Sequence, residues 1–261
     1  RIAVTVSTEG KRDVWINDLP TGTFSRLSSS GVAMTPAWSP DGSIIYYLGI
    51  DDHDRFALWS QSADGGTQAR RIATAGSGAS GLSIAPDGKS VVFGAYTDNS
   101  WNIFRVALDS PNVVKPFIQT KANEVGPEVS PDGKWVAIWS DQAGQNEVFI
   151  YSYPDATARV QISAGGGSEP MWALDGKSVF YRSGGSMLEA KLATAPSMRV
   201  ASRDTAVARL GSIVQGDVGA AYSVLSDGRF LGRSSNRDDY QLVIVPNWRI
   251  EMEQKLAAAR H

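Results

Sequence analysis

The four consecutive residues Asp51-Asp52-His53-Asp54 form the most polar cluster in the chain. Carboxylates and an imidazole are the donor types that hold zinc or a hard cation. Consecutive residues in an ordinary turn cannot all face one ion, and no second ligand set of suitable spacing follows. The segment therefore reads as a solvated hairpin loop, with no metal site. A Ser-His-Asp triad needs a histidine within reach of an activated serine, and only His53 and the terminal His261 exist. The nucleophile-elbow pattern Gly-x-Ser-x-Gly is missing too, since Gly76 to Gly81 reads Gly-Ser-Gly-Ala-Ser-Gly, a loop composition. Absence of cysteine removes disulfides, thiol nucleophiles and thiolate metal sites. Ser62-Ala63-Asp64-Gly65-Gly66 carries half of an Asp-box, but it occurs once and lacks the Thr and Trp that should follow, so glycoside hydrolysis gains no support. No catalytic residue and no cofactor are expected.

The elements that would position any site come from a repeat. Trp38-Ser39-Pro40-Asp41-Gly42, Ile84-Ala85-Pro86-Asp87-Gly88, Val129-Ser130-Pro131-Asp132-Gly133, Trp172-Ala173-Leu174-Asp175-Gly176 and Val224-Leu225-Ser226-Asp227-Gly228 align at once. Their aspartates are 46, 45, 43 and 52 residues apart, a period that fits one four-stranded propeller blade. Proline presets φ at the first corner, aspartate bonds its own backbone at the second, and glycine takes the left-handed conformation. Asp41, Asp87, Asp132, Asp175 and Asp227 are therefore read as structural turn residues, because a role repeated in every unit is a folding role.

An apolar strand follows each turn: Ile44 to Leu48, Val91 to Ala95, Trp135 to Trp139, Ser178 to Arg182 and Phe230 to Arg233. A further strand is read at 56–59, 102–105, 147–150 and 241–244, and a more variable one at places such as 70–73 and 159–162. With the strand entering the turn, each unit holds four. The expected fold is all-β, a six-bladed β-propeller over 1–246 whose first and last blades are incomplete, followed by an amphipathic helix over 247–261 packed on the propeller. In that helix Asn247 is the N-cap and Trp248, Met252 and Leu256 share a face. Trp15 matches Trp59 and Phe104, so the first unit's turn would fall before Arg1 and the chain is expected to start inside a blade.

The pattern x-Pro-x-Trp-Ser-Pro-Asp-Gly followed by an aromatic-rich hairpin resembles the TolB-like propeller repeat over nearly the whole chain. The ordered set Asp13-Val14-Trp15-Ile16, Asn123-Glu124-Val125-Gly126-Pro127, Gly166-Gly167-Ser168-Glu169-Pro170-Met171-Trp172 and Val245-Pro246-Asn247-Trp248 looks like the propeller at the C-terminus of bacterial membrane-anchored serine/threonine protein kinases. That resemblance implies a sensory or protein-interaction module on the extracytoplasmic, periplasmic face, tethered through an upstream membrane span. Similar propellers precede the hydrolase domain of prolyl-oligopeptidase-type peptidases, where they gate substrate, and TolB-like periplasmic interaction proteins are a third parallel. The kinase signatures themselves (glycine-rich loop, His-Arg-Asp, Asp-Phe-Gly) do not occur.

In a propeller, loops leading from one blade's outer strand into the next blade's inner strand converge at one channel mouth. Here those loops contain Met34, Thr35, Asn123, Glu124, Ser168, Glu169 and Asp217, which differ from blade to blade where the turns do not. A protein or peptide partner, or a small ligand, is expected there; solvated rim carboxylates are the alternative. The balance of 25 Lys+Arg against 27 Asp+Glu, net charge -2, gives no electrostatic reason for a nucleic-acid partner. No apolar run is long enough for membrane insertion. Trp15, Trp38, Trp59, Trp135, Trp139 and Trp172 recur at equivalent positions and read as blade-packing core; Trp101 is off the repeat and is the expected exposed aromatic.

Overall fold

A computed structural model describes residues 1–210, 215–216, 220–225, 228–236 and 239–245. The expectations placed on Asp217, Asp227 and the helix over 247–261 fall outside these residues.

Runs of alternating or continuous apolar residues between turn signals form strands, and the described strands pair antiparallel within each sheet, with one isolated parallel bridge between Arg12 and Val32. A first, three-stranded sheet holds β1 (Ile2–Thr8), β2 (Lys11–Asp18) and β3 (Thr23–Arg26). Three four-stranded sheets follow: β4 (Ala33–Trp38), β5 (Ile44–Ile50), β6 (Phe56–Ser62) and β7 (Arg70–Gly76); β8 (Ala79–Ile84), β9 (Ser90–Thr97), β10 (Ser100–Ala107) and β11 (Val114–Ile118); β12 (Glu124–Val129), β13 (Trp135–Ser140), β14 (Glu147–Ser152) and β15 (Arg159–Gln161). A fourth comprises β16 (Ser168–Trp172), β17 (Ser178–Ser183), β18 (Ser186–Ala193) and β19 (Arg199–Val207). The last described sheet holds β20 (Tyr222–Val224), β21 (Phe230–Asn236) and β22 (Asp239–Val245). Each sheet pairs its strands in chain order, so every connection inside a sheet is a local hairpin.

Successive sheets meet through their first strands, β4 against β8, β8 against β12, β12 against β16 and β16 against β20. Apolar faces of adjacent sheets enclose separate core clusters, for example Leu48, Leu58 and Phe93 in one and Val92, Ile138 and Phe149 in the next. This is the blade packing that the repeat predicts, although the tryptophans behave less uniformly than expected. Trp172 is buried, while Trp15, Trp38, Trp59, Trp135 and Trp139 are half-buried. Trp101 is likewise half-buried, with its ring edge-on to Tyr96 at 5.4 Å.

The turns match the expectation closely. Gly42, Gly88, Gly133, Gly176 and Gly228 sit at φ 69°, 68°, 69°, 68° and 81°, and each donates its N–H to the carbonyl three residues earlier at 2.8–2.9 Å. Asp41, Asp87, Asp132 and Asp175 accept the N–H two residues on, at 2.9–3.1 Å. Neighbouring turns also touch: a Cβ added to Gly133 would lie 3.3 Å from Pro86 Cγ, and one on Gly88 3.7 Å from Pro40 Cδ.

Candidate functional site

Opposite the turns, each complete sheet begins with an interrupted strand. The ladder slips between Met34 and Ala37, Ser80 and Leu82, Val125 and Glu128, and Ser168 and Met171. At each slip one residue is left-handed: Thr35 at φ 50°, Gly81 at 52°, Gly126 at 62° and Glu169 at 52°. Glycine takes this geometry freely, whereas threonine and glutamate carry strain that surrounding contacts must hold. Loops that lead from one sheet into the next are held as well. Asp13, at the third position of β2, accepts Ser28 Oγ at 2.9 Å and Gly31 N–H at 3.1 Å. Glu147, at the matching position of β14, accepts the Ser163 hydroxyl and the N–H groups of Gly165 (3.1 Å) and Gly166 (2.9 Å). Burial opposes ionisation of Glu147, but these donors and Gln145 outweigh it and leave its pKa below the ordinary value.

The expected site residues are distributed unevenly on this framework. Met34 lies within β4 and is part of the core beside Leu48. Thr35 donates its N–H to Thr5 Oγ1 at 3.2 Å, and its own buried hydroxyl has no partner. Asn123 is tied to Asp141 by two bonds of 2.8 and 2.7 Å and accepts the Trp101 N–H at 3.2 Å. Glu124, expected on a loop, opens β12 and is fully buried. The Thr120 hydroxyl bonds its Oε1, while Oε2 has no partner. Burial raises its pKa against the Thr120 bonds, and the Asp141 charge adds to the rise.

Glu169 is 1% exposed on β16. Arg182 Nε lies 3.2 Å from its Oε1, and the N–H groups of Gly216 and Ala221 donate to its two oxygens at 3.1 and 3.0 Å. Its carbonyl accepts the hydroxyl of Tyr222 at 2.7 Å. Arg182 and Tyr222 thus join the cluster, as does a residue the sequence reading passed over, Glu128 on β12. Its side chain is half-buried. Burial pushes its pKa up to about 8, opposed only by a bond from Ser83. Aligning the turns could have found it: the matching positions are Ala37, Ser83 and Met171, so a carboxylate stands in a column of small or apolar residues.

The Asp51-Asp52-His53 cluster departs from expectation at one residue. Asp51 is buried, not solvated, accepting the N–H groups of His53 and Arg55 at 2.9 and 3.0 Å and the guanidinium groups of Arg55 (2.8 Å) and Arg71 (3.2 Å). Burial disfavours its charge, but those donors hold it well below the usual carboxylate range. One ligand atom from each of the three residues falls within 4.8 Å of the others, but the lone pairs of Asp51 already organise this loop, and His53 is exposed. Chemically, the inner-strand cluster can accept hydrogen bonds and cations.

Comparisons with known proteins agree with this architecture. TolB from Acinetobacter baumannii superposes on 93% of the chain with a TM-score of 0.72 at 19% identity, using 60% of TolB. Puromycin hydrolase matches 95% of the chain with a TM-score of 0.64 at 15% identity, using 42% of the hydrolase. The Agrobacterium fabrum protein Atu1656 is 28% identical over 171 residues, 64% of this chain and 55% of that protein. The chain thus spans little more than half the length of the first of these relatives. No family model matches it. The fold is a TolB-like β-propeller, and at these identities the likeness concerns fold alone. No described helix is long and apolar enough to cross a membrane.

Proposed function

We propose that this chain is a non-catalytic, six-bladed propeller that binds a protein, peptide or small ligand at the mouth of its channel. In this reading it serves as the sensor or interaction domain of a bacterial signalling protein, a membrane-tethered serine/threonine kinase, on the extracytoplasmic side. The carrying observation is on β12. Glu124 has a fully buried oxygen without a partner, and Glu128, four residues along the same strand, is half-buried with its pKa raised by burial. Leaving carboxyls in such places costs stability and is tolerated where a site uses them. The expected ligand chemistry is a hydrogen-bond donor or cationic group. A pull-down or ligand screen with the parent chain, Glu124→Gln and Glu128→Gln tests this. Loss of the captured partner in the variants is expected, and equal capture by all three would reject the mouth as the site.

Superposition on part of puromycin hydrolase favours one alternative, a propeller that gates a peptidase of the prolyl-oligopeptidase type. The neighbouring coding sequence separates the two. A kinase and a membrane span upstream support the first reading; a hydrolase domain downstream with a Gly-x-Ser-x-Gly elbow supports the second.

A further inference from the structure

Between the first two sheets, away from the inner-strand cluster, lies a cavity of about 440 Å³, within the size range of small-molecule sites. Its wall includes Trp59, Tyr47, Gln61, Gln68 and Thr67, with the serines 28–30 and three aliphatic side chains; none of the lining residues is charged. Trp59 and Tyr47 face each other across the β5–β6 ladder.

The equivalent aromatic in three other sheets is covered. Trp15 stacks on Phe24 at 4.9 Å, Phe104 on Phe93 at 6.2 Å, and Phe149 lies under the Arg159 guanidinium at 5.4 Å. Among the described residues no ring stacks on Trp59 and no guanidinium caps it; the indole packs against the core cluster that includes Val14 and Tyr47 and also lines the cavity. The ring is also fixed in place: a Cβ added to Gly49 would lie 3.3 Å from Trp59 Cδ1, so glycine lets the indole edge sit flush on the strand. Beside it, the Gln61 amide is oriented by a 3.1 Å bond to the Thr67 carbonyl.

We propose that this cleft binds a neutral, polyhydroxylated ring, a sugar, stacked on Trp59 with its hydroxyls bonded by the amides and hydroxyls of the wall. A pyranose presents an apolar C–H face, which suits an unstacked indole, and an equatorial rim of donors and acceptors, which suits glutamine, serine and threonine. A wall without charge gives an ionised ligand no partner to offset its desolvation.

The test is titration calorimetry and saturation-transfer NMR with glucose, galactose, N-acetylglucosamine and their β-linked disaccharides, with glucuronate as the charged control. Saturable binding of at least one neutral sugar is expected, with glucuronate inert, and with Trp59→Ala weakening affinity at least about tenfold. Gln61→Ala, a change at a half-buried edge, is expected to weaken it about threefold or more with melting temperature unchanged. It decides the matter should Trp59→Ala fail to fold. No saturable binding up to about 50 mM of any neutral sugar, or undiminished affinity in Gln61→Ala, overturns the proposal. Glu128→Gln should leave sugar binding intact, so failure here is separate from failure of the channel-mouth reading.

Discussion

Glu128 is a carboxyl whose environment sets its charge. Its folded-state pKa, near 8, stands above the unfolded value, so the folded chain holds a proton that the unfolded chain has released. Stability from this group is fully present below about pH 4.3, falls as pH rises, and levels off above pH 8, a span of up to about 5 kcal/mol. The Glu128 charge acts in turn on Tyr222, whose own pKa is raised well above normal by burial and then by Glu169. Glu128→Gln should therefore match the parent in denaturant midpoint at pH 4.5 and exceed it at pH 9; parallel pH profiles would refute the assignment. Asp41 behaves oppositely. Bonds from the Ser39 hydroxyl, then the Ser43 N–H and hydroxyl, bring it down to about 2, so its turn is stabilised above pH 4 and weakened as pH falls towards 2. Acid-induced loss of the Ser43 amide's protection from exchange would show this.

At the scale of elements, the corners and the loop clamps make distinguishable forecasts. Gly42→Ala meets only the cost of a left-handed alanine, about 1 kcal/mol, since nothing lies within 4 Å of the new Cβ. Gly133→Ala adds a 3.3 Å contact with Pro86 and should cost about 2 kcal/mol; equal losses in thermal unfolding would mean that adjacent corners do not press on one another. Glu147→Ala should raise amide exchange at Gly165 and Gly166 and cost about 2 kcal/mol, and unchanged exchange at both would rule out the clamp. The corners were legible because Pro, Asp and Gly each act locally, within four residues of chain. Strands β18 and β19 carried no comparable cue: Ser186–Ala193 and Arg199–Val207 mix polar and apolar residues on both faces. The clamps were obscured because Asp13 and Glu147 share a position but differ in length, while Ala57 and Asn102 fill the same column. Glu128 escaped notice because its enclosure comes from strands some forty residues away in sequence, such as the one bearing Ser83.

For the molecule as a whole, the junctions between sheets matter more than any single sheet. Thr5 bonds Thr35, the Ile72 carbonyl accepts the Asn112 N–H, Ser83 bonds the Val129 N–H, Trp172 Nε1 donates to the Glu128 carbonyl, and Tyr222 reaches Glu169. Each described junction therefore carries a hydrogen bond as well as apolar packing, and each joins immediate neighbours. Such nearest-neighbour joints have a mechanical consequence. Pulled from its ends, the chain should yield by peeling one sheet at a time, each rupture releasing about 45 residues, or roughly 150 Å of contour length. Single-molecule extension traces should show a sawtooth with that spacing, and one rupture freeing the entire length would mean that the joints transmit load collectively.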